Sequence, residues 1–402
     1  MIKKYVGEME SIKEMYKIGN GPSSSHTMGP KRAAEQFLSK NSSAEKFEVT
    51  LFGSLAATGK GHLTDKVLYD TFGKDNLEII WKPEEFLPKH SNAMRFKAYS
   101  DSEVIDQWTA YSIGGGAVID DNTDVKSESI YPESTMDEIL IILENEGQQF
   151  WEYVEQHECD IWDYLSEVWQ VMKNSIQRGL EKEGTLPGVI KLPRKAHQYY
   201  TKSLSLKHSL KTRSLVFSYA LAVSEENASG GEVVTAPTCG SSGVLPAVLY
   251  HIQKSFDFPD SKILKALATA GLIGNLVKTN ASISGAEVGC QGEVGTASAM
   301  ASAAVLQLFG GSANQIEYAA EMGLEHHLGL TCDPIAGLVQ VPCIERNAFA
   351  ATRALDANTY AMLSDGKHRV SFDKVVRTMK QTGFDLPVLY KETSAGGLAT
   401  QC

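Results

Sequence analysis

Residues 280–292 read NASISGAEVGCQG, and residues 325–347 read EHHLGLTCDPIAGLVQVPCIERN. Between them, Glu293–Phe309 and Ser312–His326 repeat with helical period and are rich in Ala, Gly and Ser, which lets helices approach closely. Ser312 with Gln315 forms a capping box at the start of the second. This pattern decides the fold of the C-terminal part: small-residue helices interrupted by turns that carry cysteine. Cys290 lies between Gly289 and Gly292, Cys332 precedes Asp333-Pro334, and Cys343 follows Pro342. Proline removes a backbone donor and pushes the residue before it toward extended geometry, so these ends leave N–H groups free to point at a thiolate. Three buried small hydrophobes and a three-thiolate metal site both fit such residues. The spacing, 41 and 10 intervening residues with no C-x-x-C, leaves the two readings open.

Working outward, residues 229–246 read SGGEVVTAPTCGSSGVLP. Two glycine clusters flank a short β-like run, and hydroxyl-rich backbone leads into an apolar helix. Cys239 has no base fixed beside it by any motif, whereas Thr238, Ser241 and Ser242 with nearby N–H groups form a cradle for a small carboxylate. Ile263–Val277 reads as helix, and Ser371 is the expected cap of a last helix that stops before Gly383. Upstream, Met136–Glu146 reads as helix. Phe150, Val154, Ile161, Leu165, Val168, Met172 and Ile176 then form the stripe of one long amphipathic helix that includes Cys159. A Gly- and Pro-bearing linker, Gly184–Pro193, follows. Residues 150–402 are therefore expected to form a mostly α-helical domain.

The N-terminal texture differs. Strand patterns at Phe47–Phe52, Leu77–Trp81, Ala93–Tyr99 and Trp108–Ser112, interleaved with about two helices, predict an α+β domain over residues 1–135. Its first loop, GPSSSHTMGP (21–30), brings Ser24, Ser25, His26 and Thr27 to a helix start, with Pro30 at a first helical position. Its second, GSLAATGKGHLTD (53–65), carries Lys60 and His62. This second loop is no P-loop: five residues separate the glycines, and Gly61 stands where Ser or Thr would hold magnesium.

Composition sets limits. A chain of 402 residues exceeds one ordinary core, and 43% hydrophobic with 22% charged residues is an ordinary globular balance. A formal charge of −11 argues against nucleic acid or an anionic membrane as the main partner. Met1–Tyr16 mixes Lys with Glu and does not read as a signal peptide, and no apolar run is long enough to span a bilayer. Six scattered cysteines do not resemble a disulfide framework, so a reducing, cytoplasmic setting is expected.

Taken together, the motifs at 21–30, 53–65 and 229–246, with YSIGGGAVID (111–120), GAEVGCQGEVG (285–295) and EHHLGLTCDPIAGLVQVPCIERNA (325–348), resemble the single-chain iron–sulfur L-serine dehydratases, or L-serine ammonia-lyases. The resemblance covers almost the whole chain. It implies an α+β N-terminal domain of the serine dehydratase beta type, resembling the allosteric substrate-binding domain of phosphoglycerate dehydrogenase, followed by a mostly α-helical catalytic domain of the alpha type. It further implies a [4Fe–4S] cluster, with Cys290, Cys332 and Cys343 matching its ligands and Cys402 matching a C-terminal cysteine that closes the fourth iron. Only Thr400 and Gln401 separate Cys402 from the Gly-Gly-Leu-Ala segment, a short spacer. His26 and His62 match active-site histidines. The expected partner is L-serine and the expected assembly a homodimer.

The chemistry suits the residues. Dehydrating serine breaks a weakly acidic Cα–H bond and expels hydroxide; an iron with an open position acts as Lewis acid, and histidine has the pKa range of a base. Two other classes compete. A pyridoxal-phosphate dehydratase needs a Schiff-base lysine and a phosphate cup, and Lys60 is the only lysine in a glycine-rich loop. A non-catalytic amino-acid sensor would leave the three cysteines unexplained.

Overall fold

The computed structural model describes residues 9–122, 129–394 and 396–401. The chain divides into two compact units, Gly19–Lys126 on one side and Met1–Ile18 with Ser127–Cys402 on the other.

The Gly19–Lys126 unit is an α+β unit built on a five-stranded mixed sheet. In chain order the strands are β1 (Lys46–Phe52), β2 (Leu77–Lys82), β3 (Ala93–Ser100), β4 (Glu103–Gly114) and β5 (Ala117–Asp120), arranged β2-β1-β3-β4-β5. Alternation along β1 buries Phe47, Val49 and Leu51. Val49 lies opposite Ile79 in the parallel pair and opposite Phe96 in the antiparallel one. The helices Gly29–Lys40 and Thr64–Phe72 contribute Phe37 and Phe72, whose rings lie 5.3 Å from Phe96 and 4.5 Å from Phe47 respectively. The four expected strands are present, and β5 is additional. Gly115 and Gly116, at φ of +57° and +76°, fold the chain back so that Ala117–Asp120 pairs with Ala110–Gly114.

The remainder is mostly helical. At its centre Thr296–Leu308 packs against Val244–Phe256, Asp260–Asn280, Ala313–Glu325 and Cys343–Leu363. Ala297, Ala299, Ala301, Ala303 and Ala304 are all fully buried there. Such small residues allow backbone to approach backbone: a Cβ on Gly323 would lie 2.9 Å from the Ala299 main chain. The expected capping box is present, with the Ser312 hydroxyl accepting from the Gln315 N–H and the Gln315 side chain accepting from the Ser312 N–H.

Three expectations need correction. The long stripe from Phe150 to Ile176 is two helices, Phe150–His157 and Ile161–Glu181. The break falls at Glu158, whose carboxylate accepts hydrogen bonds from Ile12 N at 2.9 Å and from the hydroxyls of Ser11 and Tyr131. Cys159 therefore lies in the break, exposed, and not within a helix. The last helix runs Phe372–Asp385, through Gly383, because Gly383 packs against Val288 where no Cβ fits. Ser371 stands at its N-cap position as expected, though its side chain makes no capping hydrogen bond, and the Phe372 N–H is taken by Glu317 Oε1 at 2.6 Å.

Residues 9–18 belong to the helical unit. Met9, Ile12, Met15 and Tyr16 are buried. Gly271 and Gly274 on Asp260–Asn280 make room for them, since a Cβ on Gly271 would lie 3.0 Å from both Ile12 and Tyr16. The Tyr16 hydroxyl donates to Leu267 O at 2.7 Å, and Thr235 links Met15 to Lys17 through its side chain. Among the described residues no helix is long and apolar enough to cross a membrane.

Candidate functional site

Three segments of the helical unit bring the predicted cysteines together. Cys290 follows the four-residue helix Gly285–Val288 and Gly289, whose φ of +77° turns the chain; a Cβ there would lie 2.7 Å from Leu330 O. Cys332 is fixed through its backbone, its N–H donating to Tyr390 O at 2.8 Å and its carbonyl accepting from Thr393 N at 3.3 Å. Cys343 opens the helix Cys343–Leu363, and its carbonyl accepts from Asn347 Nδ2 at 2.8 Å. All three cysteines are buried.

At the centre stands a residue the sequence reading did not single out. Glu293 Oε2 lies 3.9 Å from the sulfurs of both Cys290 and Cys332, and one ligand atom from each of the three residues falls within 4.8 Å of the others. Glu293 Oε1 accepts from the Thr238 hydroxyl at 2.7 Å, and Thr238 in turn lies 3.2 Å from Ser241 Oγ. Arg346, one turn beyond Cys343, places its guanidinium beside the Cys290 and Cys343 sulfurs. It donates to Thr331 O at 2.5 Å and lies 3.7 Å from Asp333 Oδ1. Asp333 also accepts from Leu398 N at 2.8 Å, which fixes the C-terminal segment next to Cys332.

The electrostatics of this group are strained. The neighbouring Cys290 sulfur and then burial raise the Cys332 thiol well above its ordinary pKa, and burial followed by Cys290 does the same to Cys343. Burial holds Glu293 above the usual carboxylate range, and burial together with the Glu293 charge pushes Glu392 up to about 8. Soft thiolate donors are the chemistry that iron–sulfur clusters and zinc select. A metal would displace the thiol protons and relieve the crowding of like groups. Gly285 lines the cradle where a side chain would crowd it: a Cβ there would lie 2.7 Å from Glu293 Oε2 and 3.1 Å from Cys332 Sγ. The residues present thus fit a thiolate-bound metal group.

The rest of the 238–242 cradle supports the site more than it faces it. Ser241 backs Thr238, while Ser242 donates to Cys239 O at 2.8 Å. Asn347 ties this loop to the Cys343 helix, accepting from Gly243 N at 3.0 Å and donating to Gly240 O at 2.7 Å. The Cys239 thiol is buried and raised far above its ordinary value by burial, the opposite of an activated nucleophile. Cys402 lies outside the described residues.

In the α+β unit, the two histidine loops meet. The His26 and His62 rings are 4.7 Å apart. The loops clasp each other: Thr27 Oγ1 donates to His62 O at 2.7 Å, and Thr64 Oγ1 to His26 O at 2.6 Å. Both nitrogens of His26 are engaged, Nδ1 with Ser25 Oγ at 2.8 Å and Nε2 with Ser54 Oγ at 3.0 Å. His62 Nδ1 is buried without a hydrogen-bond partner. Burial pushes His62 down to about 4, and burial with the His62 charge lowers His26 well below its ordinary value. Both rings are neutral at physiological pH. Ser24 is buried in the same turn. Lys60 is exposed, its Nζ 5.4 Å from the centre of the Trp81 ring.

The sequence signal for the missed residues is faint. Glu293 stands three residues after Cys290 and Arg346 three after Cys343, spacings that place them on the same turn, whereas nothing near Glu392 marks it.

The chain is similar to known proteins over nearly its whole length. Residues 40–399 match the family described as serine dehydratase alpha chain. The chain is 41% identical to the L-serine dehydratase of Streptomyces coelicolor, over 97% of this chain and 98% of that protein. It is 40% identical to L-serine dehydratase 1 of Escherichia coli, over 98% and 100% of the two chains. It is likewise 40% identical to the L-serine dehydratase of Mycobacterium tuberculosis, over 97% of each. The chain belongs to the serine dehydratase family.

Proposed function

We propose that this chain is a cytoplasmic L-serine ammonia-lyase, in which Cys290, Cys332 and Cys343 hold a [4Fe–4S] cluster. It converts L-serine to pyruvate and ammonia, a step of amino-acid degradation that feeds gluconeogenesis, and works as a homodimer. One observation carries the reading: the buried thiols of Cys290 and Cys332 meet on the Glu293 carboxylate, with the buried Cys343 near enough to feel the charge of both Cys290 and Glu293, in a chain of this family. When bound, the cluster would supply a Lewis-acidic iron, one position of which three thiolates leave open.

The chain's own residues account for the proton. Elimination removes Cα–H as a proton and the β-hydroxyl as hydroxide; the resulting 2-aminoacrylate tautomerises to the imine, and water releases pyruvate and ammonia. His62 suits the base, since it is neutral and its Nδ1 has no competing partner. His26, held at both nitrogens by Ser25 and Ser54, suits the task of fixing the His62 ring. Ser24, Ser25 and Thr27 shape that loop, Thr238 with Ser241 orients Glu293, and Lys60, exposed beside Trp81, is the proposed cation for the substrate carboxylate. Cys402 is the proposed resting-state thiolate that would close the open position until substrate displaces it. The N-terminal α+β region is the proposed beta-type domain, akin to the substrate-binding domain of phosphoglycerate dehydrogenase, and residues 150–402 are the alpha-type catalytic domain. Protein purified without oxygen is expected to be brown, with about four irons per chain, and to release pyruvate from L-serine. A colourless, iron-free preparation that still forms pyruvate refutes the proposal.

A further inference from the structure

Away from the cysteines, the helices Ala313–Glu325 and Cys343–Leu363 line a cavity of about 440 Å³. Small-molecule sites occupy roughly 300–1,000 Å³. Some charged groups on its wall already have partners: Glu325 pairs with His326 at 2.9 Å, and Asp356 with Arg213 at 3.8 Å. Glu321 and Arg353 also line the cavity, and neither makes a hydrogen bond or ion pair among the described residues. Glu321 is the stronger signal, because it is only 6% exposed. A buried carboxylate ordinarily has a donor, and one without a donor is costly. Burial, with the charges of Glu325 and Glu317, pushes Glu321 up to about 7. An ammonium in the cavity would supply the missing donor and favour the ionised carboxylate. Arg353 is exposed and offers the forked donors that suit a second carboxylate. Apolar and aromatic groups complete the wall, with the Tyr318 and Tyr360 rings 6.1 Å apart at 88°.

We infer that this cavity binds a free α-amino acid with an aromatic side chain, its ammonium on Glu321, its carboxylate on Arg353 and its ring beside Tyr318 and Tyr360. An α-amino acid carries both charges on one carbon, so it uses both unpartnered residues where a simple amine or acid would use one. The two tyrosines already stand edge to face, an arrangement that a third ring extends. L-Serine would leave most of the volume empty. Arg353 lies ten residues beyond Cys343 on the same helix, about 15 Å along its axis, so this site is distinct from the cysteine centre.

The probe is L-phenylalanine, with phenethylamine and phenylpropionate as analogues that lack its carboxylate and its ammonium respectively. Calorimetric titration of the full chain is expected to show saturable binding of L-phenylalanine, roughly tenfold or more tighter than of either analogue. Glu321→Gln should weaken L-phenylalanine roughly ten- to a hundredfold, the range of a charge-assisted hydrogen bond, and leave phenylpropionate at its parental constant. Arg353→Gln should weaken L-phenylalanine similarly and leave phenethylamine unchanged. Being a surface change, it carries the test even where Glu321→Gln does not fold. A parent with no saturable binding at millimolar L-phenylalanine overturns the inference, as does parental affinity in either folded variant. Displacement of L-phenylalanine by equimolar L-serine also overturns it, because the ligand would then occupy the substrate's site. Pyruvate formation plays no part in the measurement, so failure of the dehydratase reading would leave this inference standing.

Discussion

Replacing Gly383 by Ala sets two effects of known sign against each other. In a helix interior Ala is favoured over Gly by about 1 kcal/mol, so helix propensity alone would stabilise the protein. Packing opposes this. A Cβ at position 383 would lie 2.6 Å from Cβ and Cγ1 of Val288 and 2.8 Å from its Cα. Carbon atoms rest at about 3.5–4.0 Å, so one partner must move by about 1 Å. The atoms in the way include main chain, which cannot rotate aside, and overpacking of this kind costs about 1–3 kcal/mol. The expected balance is a net loss of roughly 1 kcal/mol, seen as a fall in Tm of a few degrees by calorimetry. The displacement falls on Val288, two residues before Cys290, and a shift of about 1 Å at a reacting centre can cost about a hundredfold in rate. Iron per chain after gel filtration should fall, and turnover should fall further. If Gly383→Ala melts at or above the parent and retains all its iron, Gly383 does not set the spacing of the Cys290 turn, and that argument fails.

Changing Cys290, Cys332 or Cys343 to Ala should remove both iron and pyruvate formation; a variant that keeps the parent's iron content is not missing a ligand. His62→Ala should keep its iron and lose roughly a hundredfold in turnover, the scale of a lost general base, with His26→Ala affected through its neighbour. Parental turnover in both would place the base elsewhere. His62 also carries a pH dependence. Its folded pKa, about 4, lies below the 6.5 of the unfolded chain, so the unfolded state binds more protons between these values. The stability it confers is present above pH 6.5 and is lost as pH falls toward 4, about 3 kcal/mol in all. Denaturant titrations of the parent and of His62→Gln should therefore converge on acidification, and curves that stay parallel across this window would mean that His62 is not a buried, neutral ring.

Short-range signals in the sequence held. The capping box at Ser312 and Gln315, the alternation in β1 and the small-residue helices around Thr296–Leu308 each depend on neighbours a few residues away. Where the reading failed, a distant partner had intervened. The apolar stripe from Phe150 to Ile176 continues across the break at Glu158, because a three-residue turn preserves the spacing. The break follows from bonds to Ser11, Ile12 and Tyr131, which periodicity does not register. Gly383 looked like a helix terminator and is a contact surface for Val288. The site divides the same way. Cysteines announce themselves by type, but Glu293 matters through Thr238 and Cys332, 55 and 39 residues away, and Arg346 through Thr331 and Asp333. A lone carboxylate or guanidinium in a sequence is ordinarily a solvated surface group.

The burial of Met9, Ile12, Met15 and Tyr16 in the helical unit makes the α+β unit an insertion: the chain enters one body, leaves to build another, and returns. Tyr16 must wait for Leu267, 251 residues further along, before its hydroxyl finds its acceptor. At ribosomal speed that interval is roughly 10–50 s, whereas a mixed α/β domain ordinarily folds in well under a second once synthesised. The inserted unit can thus be complete on the ribosome while the first segment of the other body still trails as an unsatisfied apolar tether. The helical body cannot close until late in synthesis, and its earliest residues are among the last to reach their place.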